Sequence, residues 1–221
     1  EGARRFACGL VASGVAPDDR VAIWAPNSAE WVIAVLGLWH AGAVLVPVNT
    51  RFKGTEAGDI LRRSGAKAIV TVREFLGTDY VETLEGLDLP DLATTILDVR
   101  GFGEGAPEVD LPTVGADDRS DILFTSGTTG VPKGVVMTHG RTRQVGTDWV
   151  AMTGLTAGDR YLMVNPYFHM FGLKAGILAS VAAGATMLPE PVFDVDRVLT
   201  RIGEEQVTVL PGAPTIYQSI L

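Results

Sequence analysis

Short apolar runs alternate with segments of helical periodicity along nearly all of this 221-residue chain. Val21 to Ala25, Ala43 to Val46 and Ala68 to Val72 read as buried strands. Between the first two, Ser28 can cap a helix that places Val32, Val35, Leu36 and Trp39 at i, i+3, i+4 and i+7. Thr55 can cap another helix reaching about Ser64, and residues around 3–13 read as the end of a helix. The pattern then repeats. Thr94 to Val99, Ser120 to Thr125, Val135 to Thr138, Tyr161 to Val164, Thr186 to Leu188 and Val207 to Leu210 read as strands. Helices are expected over about 140–152, over Phe171 to Ala183, after an Asp194 cap and from near Ala213. The Phe171 helix is apolar nearly all round and therefore buried, whereas the one after Asp194 shows Val195, Val198, Leu199 and Ile202 on one face. Strands joined by helices of about 10–15 residues point to parallel sheets flanked by helices, an α/β fold.

One stretch breaks the alternation. Gly101 to Asp118 is rich in Gly, Pro and acids and has no period, so it reads as a surface loop or linker. It divides the chain into a first α/β portion, 1–118, and a second, 119–221. The chain is 47% hydrophobic, enough for a sizeable core, and its formal charge of −8 argues against nucleic acid as a partner. The single Cys8 excludes an internal disulfide framework, reads as a small buried hydrophobe and suits a reducing cytoplasm. The longest apolar stretch, Val32 to Val48, is interrupted by Gly37, His40, Gly42 and Pro47, so no transmembrane span is expected. His40, His139 and His169 lie far apart in sequence, and no metal-ligand cluster is visible.

The chemistry is concentrated in "ILFTSGTTGVPKGVVMT", Ile122 to Thr138. Thr125 to Gly134 places three Gly, four hydroxyl residues, one Pro and one Lys between two apolar runs. Gly127, Gly130 and Gly134 permit φ > 0 and close backbone approach, so consecutive N–H groups can aim at one anion. Thr125, Ser126, Thr128 and Thr129 add hydroxyl donors, and Lys133 adds a cation. A polyphosphate needs this combination; an ordinary solvated hairpin tip does not. The Walker A loop requires Lys followed by Ser or Thr at the start of a helix, whereas Lys133 is followed by Gly134 and an apolar strand.

Thr125-Ser-Gly-Thr-Thr-Gly-Val-Pro-Lys-Gly134 resembles, over all ten residues, the phosphate-loop signature of the adenylate-forming superfamily. That superfamily includes acyl-CoA synthetases, luciferases and peptide-synthetase adenylation domains. Arg20 to Arg51 is similar to the family's early helix–strand unit, "NPYFHMFGL" (Asn165 to Leu173) to its acyl-pocket segment, and "VTVLPGAPTIYQSIL" (Val207 to Leu221) to the segment leading into the middle of the large domain. The likeness covers essentially the whole chain. It implies part of a large N-terminal domain built from two α/β subdomains.

The resemblance implies a carboxylate–CoA ligase that uses ATP with Mg²⁺ and takes coenzyme A as co-substrate. It implies that Thr125, Ser126, Gly127, Thr128, Thr129, Gly130 and Lys133 hold the β- and γ-phosphates. His169 is expected beside the acyl carboxylate and α-phosphate, with a structural histidine as the alternative. Phe168 and Phe171 either shape the acyl pocket or pack in the core, and Gly212, Pro214 and Thr215 either border that pocket or form a plain turn. Lys174 meets a substrate oxygen or, the favoured reading, snorkels to solvent. The sequence looks closest to actinobacterial acyl-CoA synthetases, among them the ligase for a propionate side chain on sterol-derived rings; fatty and aryl acids remain open. The family's adenine-contacting, ribose-binding and C-terminal lysine motifs lie outside these residues, and so does its C-terminal domain. The 221 residues are therefore expected to be a fragment, inactive alone. The alternatives are a non-catalytic nucleotide-binding module or another adenylate-forming enzyme, such as a peptide-synthetase adenylation domain. No oligomeric state is implied.

Overall fold

The computed structural model describes residues 1–125 and 132–221. These group into two compact units, 1–25 with 30–141 and 26–29 with 142–221.

Among its described residues, the first unit holds eight strands: β1 (Arg20–Trp24), β2 (Val44–Pro47), β3 (Ala66–Thr71), the short hairpin pair β4 (Glu74–Phe75) and β5 (Thr78–Asp79), β6 (Thr94–Ile96), β7 (Arg119–Thr125) and β8 (Lys133–Thr138). Six of them form one sheet in the order β6-β3-β1-β2-β7-β8. Every pairing in it is parallel except β7 with β8. β1, β2 and β3 are buried along almost their full length, the pattern of parallel strands covered on both faces. The covering helices are α1 (Gly2–Ala12), α2 (Ala29–His40) and α3 (Gly54–Ser64). α3 opens one residue before the expected Thr55 cap. The Glu56 carboxylate reaches back to accept the Lys53 N–H at 2.9 Å, so Lys53 takes the capping position. Cys8 is buried in α1.

A stacked pair anchors this unit's core. The Trp24 and Tyr80 ring centroids lie 4.0 Å apart with planes 4° from parallel. Each ring keeps its polar atom satisfied: Trp24 Nε1 donates to the Asn49 carbonyl at 3.0 Å and the Tyr80 hydroxyl to that of Thr50 at 2.6 Å. Burial pushes the Tyr80 hydroxyl up to about 12, so it remains a donor throughout the working pH range.

The expected division at 118/119 falls inside this unit. Residues 101–118 are irregular, as their composition suggests, but the chain then returns to the same sheet. β7 pairs with β2 at Leu45↔Asp121. Composition reports a linker; it does not report which sheet the next strand joins. The structure divides instead between Arg141 and Thr142.

His139 begins α4 (His139–Thr153) with its ring edge-on to Trp39, centroids 5.8 Å apart. Burial lowers the His139 pKa, and the nearby Asp118 and Asp121 only partly offset this. A depressed folded pKa means that the unfolded chain binds more protons once pH falls below the ordinary histidine value of about 6.5. His139 therefore stabilises the fold above that value and loses the contribution as pH falls further. Urea midpoints measured between about pH 7.5 and 5.5 should fall for the parent and fall less for His139→Gln. Identical slopes would remove His139 as the cause.

In the second unit, β9 (Arg160–Met163) and β10 (Thr186–Pro189) pair in parallel. Val207 to Leu210 does not form the expected full strand; it adds one parallel bridge, Tyr161↔Val209. Helices here are α4, α5 (Ala179–Ala183), α6 (Val195–Glu204) and α7 (Pro214–Ile220). Asp194 caps α6 as expected, accepting the Arg197 N–H at 2.9 Å. Val198 is fully buried, but Leu199 is 47% exposed, so the buried face of α6 is narrower than its periodicity suggested. Leu162, Val164, Leu188 and Val198 form the core. Among the described residues, no helix is long and apolar enough to cross a membrane.

Candidate active site

The glycine- and hydroxyl-rich stretch joins β7 to β8. Its two ends are paired: Thr125 lies opposite Lys133 on the last rung of the antiparallel ladder. The Thr125 hydroxyl donates to the Lys133 carbonyl at 3.5 Å, and both residues are exposed. The connection is thus a hairpin, the topology that an ordinary solvated turn would also have. Its residue types distinguish it, because a two- to five-residue turn does not need four hydroxyls and a lysine. Ser126, Gly127, Thr128, Thr129 and Gly130 lie outside the described residues.

Gly134 provides the expected close approach but not the positive φ. It sits in extended β8 and is not among the residues with positive φ. A Cβ there would lie 3.0 Å from Ile122 Cγ2 and 3.4 Å from Phe124 Cζ. Its value is close approach: it lets the Phe124 ring cross the neighbouring strand.

In the second unit, the segment after β9 is held by one buried amide. Asn27, 6% exposed, donates from Nδ2 to the carbonyls of Met163 (3.0 Å) and Asn165 (2.9 Å). Its Oδ1 accepts the Tyr167 N–H at 2.8 Å. Asn165 Nδ2 in turn donates to the Pro211 carbonyl at 2.8 Å, tying this segment to the turn that holds Gly212 and leads to Pro214. Pro214 is the first residue of α7, where its missing N–H costs nothing, and Thr215 follows it on the exposed side.

His169 is exposed, and its Nδ1 accepts the Phe171 N–H at 3.2 Å. That bond places the proton of the neutral ring on Nε2, which is left as a donor. Phe168 is half-buried, and Phe171 meets Trp149 edge-on at 5.2 Å. Phe171 also opens a stretch of wide π pitch, Phe171–Leu178, that continues into α5. Such windings are rare and occur often at functional sites. Gly172 is required within it, since a Cβ would overlap the Pro166 carbonyl.

Lys174 corrects an expectation. It does not snorkel: its side chain is fully buried, and Nζ donates to Thr142 Oγ1 at 2.9 Å. The π stretch is covered along Gly172 to Ile177, leaving the four-carbon stem no short path to solvent.

Asn27 was invisible to sequence reasoning as a site residue. The only signal was a polar amide lodged in "APNSAEW" between an apolar strand and an apolar helix.

Thr125 and Lys133 thus stand at paired hairpin ends on a mainly parallel sheet. Residues 1–221 match the family of AMP-binding enzymes, and the chain belongs to that family. A methyl-dioxo-octahydro-indenyl propanoyl:CoA ligase of Rhodococcus jostii is 43% identical over 240 residues, covering 99% of this chain and 47% of the ligase. The ligase of the same name from Mycobacterium tuberculosis is 46% identical over 229 residues, covering 97% of this chain and 45% of its own. The inhibitor-bound N-terminal domain of FACL13 from Mycobacterium tuberculosis superposes with a TM-score of 0.90 at 32% identity, over 99% of this chain and 56% of that one. The chain spans about half the length of the curated relatives it matches.

Proposed function

We propose that the protein carrying this chain is an ATP-dependent carboxylate–CoA ligase. Its substrate is a propionate side chain on a methylated bicyclic diketone. The observation that carries the first part is the Thr125 to Gly134 stretch, strung between two strand ends that are paired at Thr125↔Lys133. The substrate class is supported by the likeness to two ligases named for that acyl group. Fatty acids are the second reading, favoured by the structural likeness to a fatty acyl CoA synthetase of Mycobacterium tuberculosis, with a TM-score of 0.87 at 30% identity.

A carboxylate is a poor electrophile because its charge is delocalised and oxide is a bad leaving group. In the proposed reaction a carboxylate oxygen attacks the α-phosphorus of ATP, the bond to the bridging oxygen breaks, and pyrophosphate leaves. The thiol of coenzyme A then attacks the acyl carbon and expels AMP. Bringing an anion to a polyanion makes charge neutralisation the main demand. Lys133, exposed at the hairpin's end, fits that demand by supplying positive charge, and the Thr125 hydroxyl would donate to a phosphate oxygen by exchanging its long 3.5 Å bond to the Lys133 carbonyl. Mg²⁺ would arrive on the nucleotide's phosphates, needing only one or two protein carboxylates. His169 would offer Nε2–H to an oxygen of the substrate. Phe168, Phe171, Gly212, Pro214 and Thr215 would border the acyl group. Lys174, buried beside Thr142, would stiffen the π stretch from within. A cytoplasmic location follows from the buried, unpaired Cys8 in this reading.

The test is product analysis on the intact protein with ATP, Mg²⁺ and coenzyme A. The bicyclic propionate should yield AMP, pyrophosphate and a CoA thioester, faster than palmitate does. Adenylate without thioester would point to a different adenylate-forming enzyme. Nucleotide binding with no product would leave a non-catalytic module.

A further inference from the structure

Arg63 lies in the last turn of α3, outside the stretch assigned to phosphate, yet it touches both ends of that stretch. Its Nη2 donates to the carbonyl of Pro132, the residue before Lys133, at 2.8 Å. Its guanidinium carbon lies 5.4 Å from the centroid of the Phe124 ring, and Phe124 precedes Thr125. Nη1 donates to Asp59, one helical turn back, at 3.3 Å. One guanidinium thus lies over a ring of β7, donates to the residue just before β8 and donates to its own helix.

An ordinary surface pair explains only the third contact, since an i,i+4 pair such as Asp59–Arg63 asks nothing of β7 or β8. The other two fall on the residues immediately before Thr125 and Lys133, beside the last paired rung. The chemistry is also specific to arginine. A guanidinium can stack on a ring while donating in its own plane, whereas an ammonium is a point charge that cannot do both.

We propose that Arg63 is a positioning residue for nucleotide binding: by gripping both legs of the β7–β8 hairpin it fixes the spacing and orientation of Thr125 and Lys133. This rests on the reading of the protein as an ATP-dependent ligase. Arg63 contacts Asp59, Pro132 and Phe124. It acts through the hairpin, so its loss shows in the affinity for ATP and not in that for the carboxylate.

The test compares the parent with Arg63→Lys and Arg63→Met in carboxylate-dependent exchange of labelled pyrophosphate into ATP, using the intact protein. Losing a charged hydrogen bond and a ring contact should raise the KM for ATP about tenfold in Arg63→Met, with the KM for the carboxylate within about twofold and the thermal midpoint little changed. Arg63→Lys, which keeps the charge and loses the fork, should fall between. A KM for ATP within about twofold of the parent in Arg63→Met overturns the proposal, and so do equal rises in both KM values. If Arg63→Met does not fold, Arg63→Lys decides, and a KM for ATP equal to the parent's overturns the proposal. Parent protein that shows no exchange overturns the ligase reading instead, before any variant is made.

Discussion

Replacing Lys133 with alanine lowers the efficiency of carboxylate-dependent pyrophosphate exchange by roughly ten- to a hundredfold, the worth of one charged donor on a phosphate oxygen. The fold survives, because Lys133 is exposed and only its backbone pairs with Thr125. The thermal midpoint should therefore stay within about a degree of the parent, since surface changes are usually within about 0.5 kcal/mol. Lys133→Arg should recover part of the loss, since the cation is kept on a wider head group. Exchange kinetics with ATP as the varied substrate check this. An unchanged KM and rate would remove Lys133 from the nucleotide site.

Asn27→Leu is the second large effect, and it acts on stability first. Asn27 makes three bonds to backbone groups at 2.8–3.0 Å from a side chain that is 6% exposed. An isosteric apolar side chain leaves the Tyr167 N–H and the Met163 and Asn165 carbonyls without that partner. At about 1–3 kcal/mol for each buried polar group left unsatisfied, and with partial relaxation, the loss should be about 2–4 kcal/mol. Asn27→Asp should be no better, because it keeps the acceptor, loses both donors and buries a charge. The same bonds fix the segment from Asn165 to His169, so the KM for the carboxylate should rise more than that for ATP. Thermal unfolding and the two KM values together check this. A loss below about 1 kcal/mol would mean that the segment is held by other contacts.

The strands were largely legible because each is a short apolar run, and β1, β2 and β3 are buried enough to need no polar face. The phosphate-binding stretch was legible because its residue types suit little else. What failed was non-local. No local pattern states that Asp121 lies opposite Leu45, so composition alone divides the chain within the sheet. The π winding at Phe171–Leu178 shares its apolar composition with an α-helix, and periodicity does not separate them there. The habits of a lysine side chain point Lys174 to solvent, but its neighbours bury it, and Thr142 lies 32 positions away in sequence. Asn27 and Arg63 reach partners 136 and 69 positions distant, and neither carries a local mark of that reach.

Exchange of labelled pyrophosphate into ATP by the intact protein, with and without the bicyclic propionate, decides whether this is a carboxylate-activating enzyme. Exchange should depend on the carboxylate and on Mg²⁺ and need no coenzyme A, because adenylate formation precedes thioester formation. Tight nucleotide binding with no carboxylate-dependent exchange for this acid or any fatty acid would contradict the ligase reading.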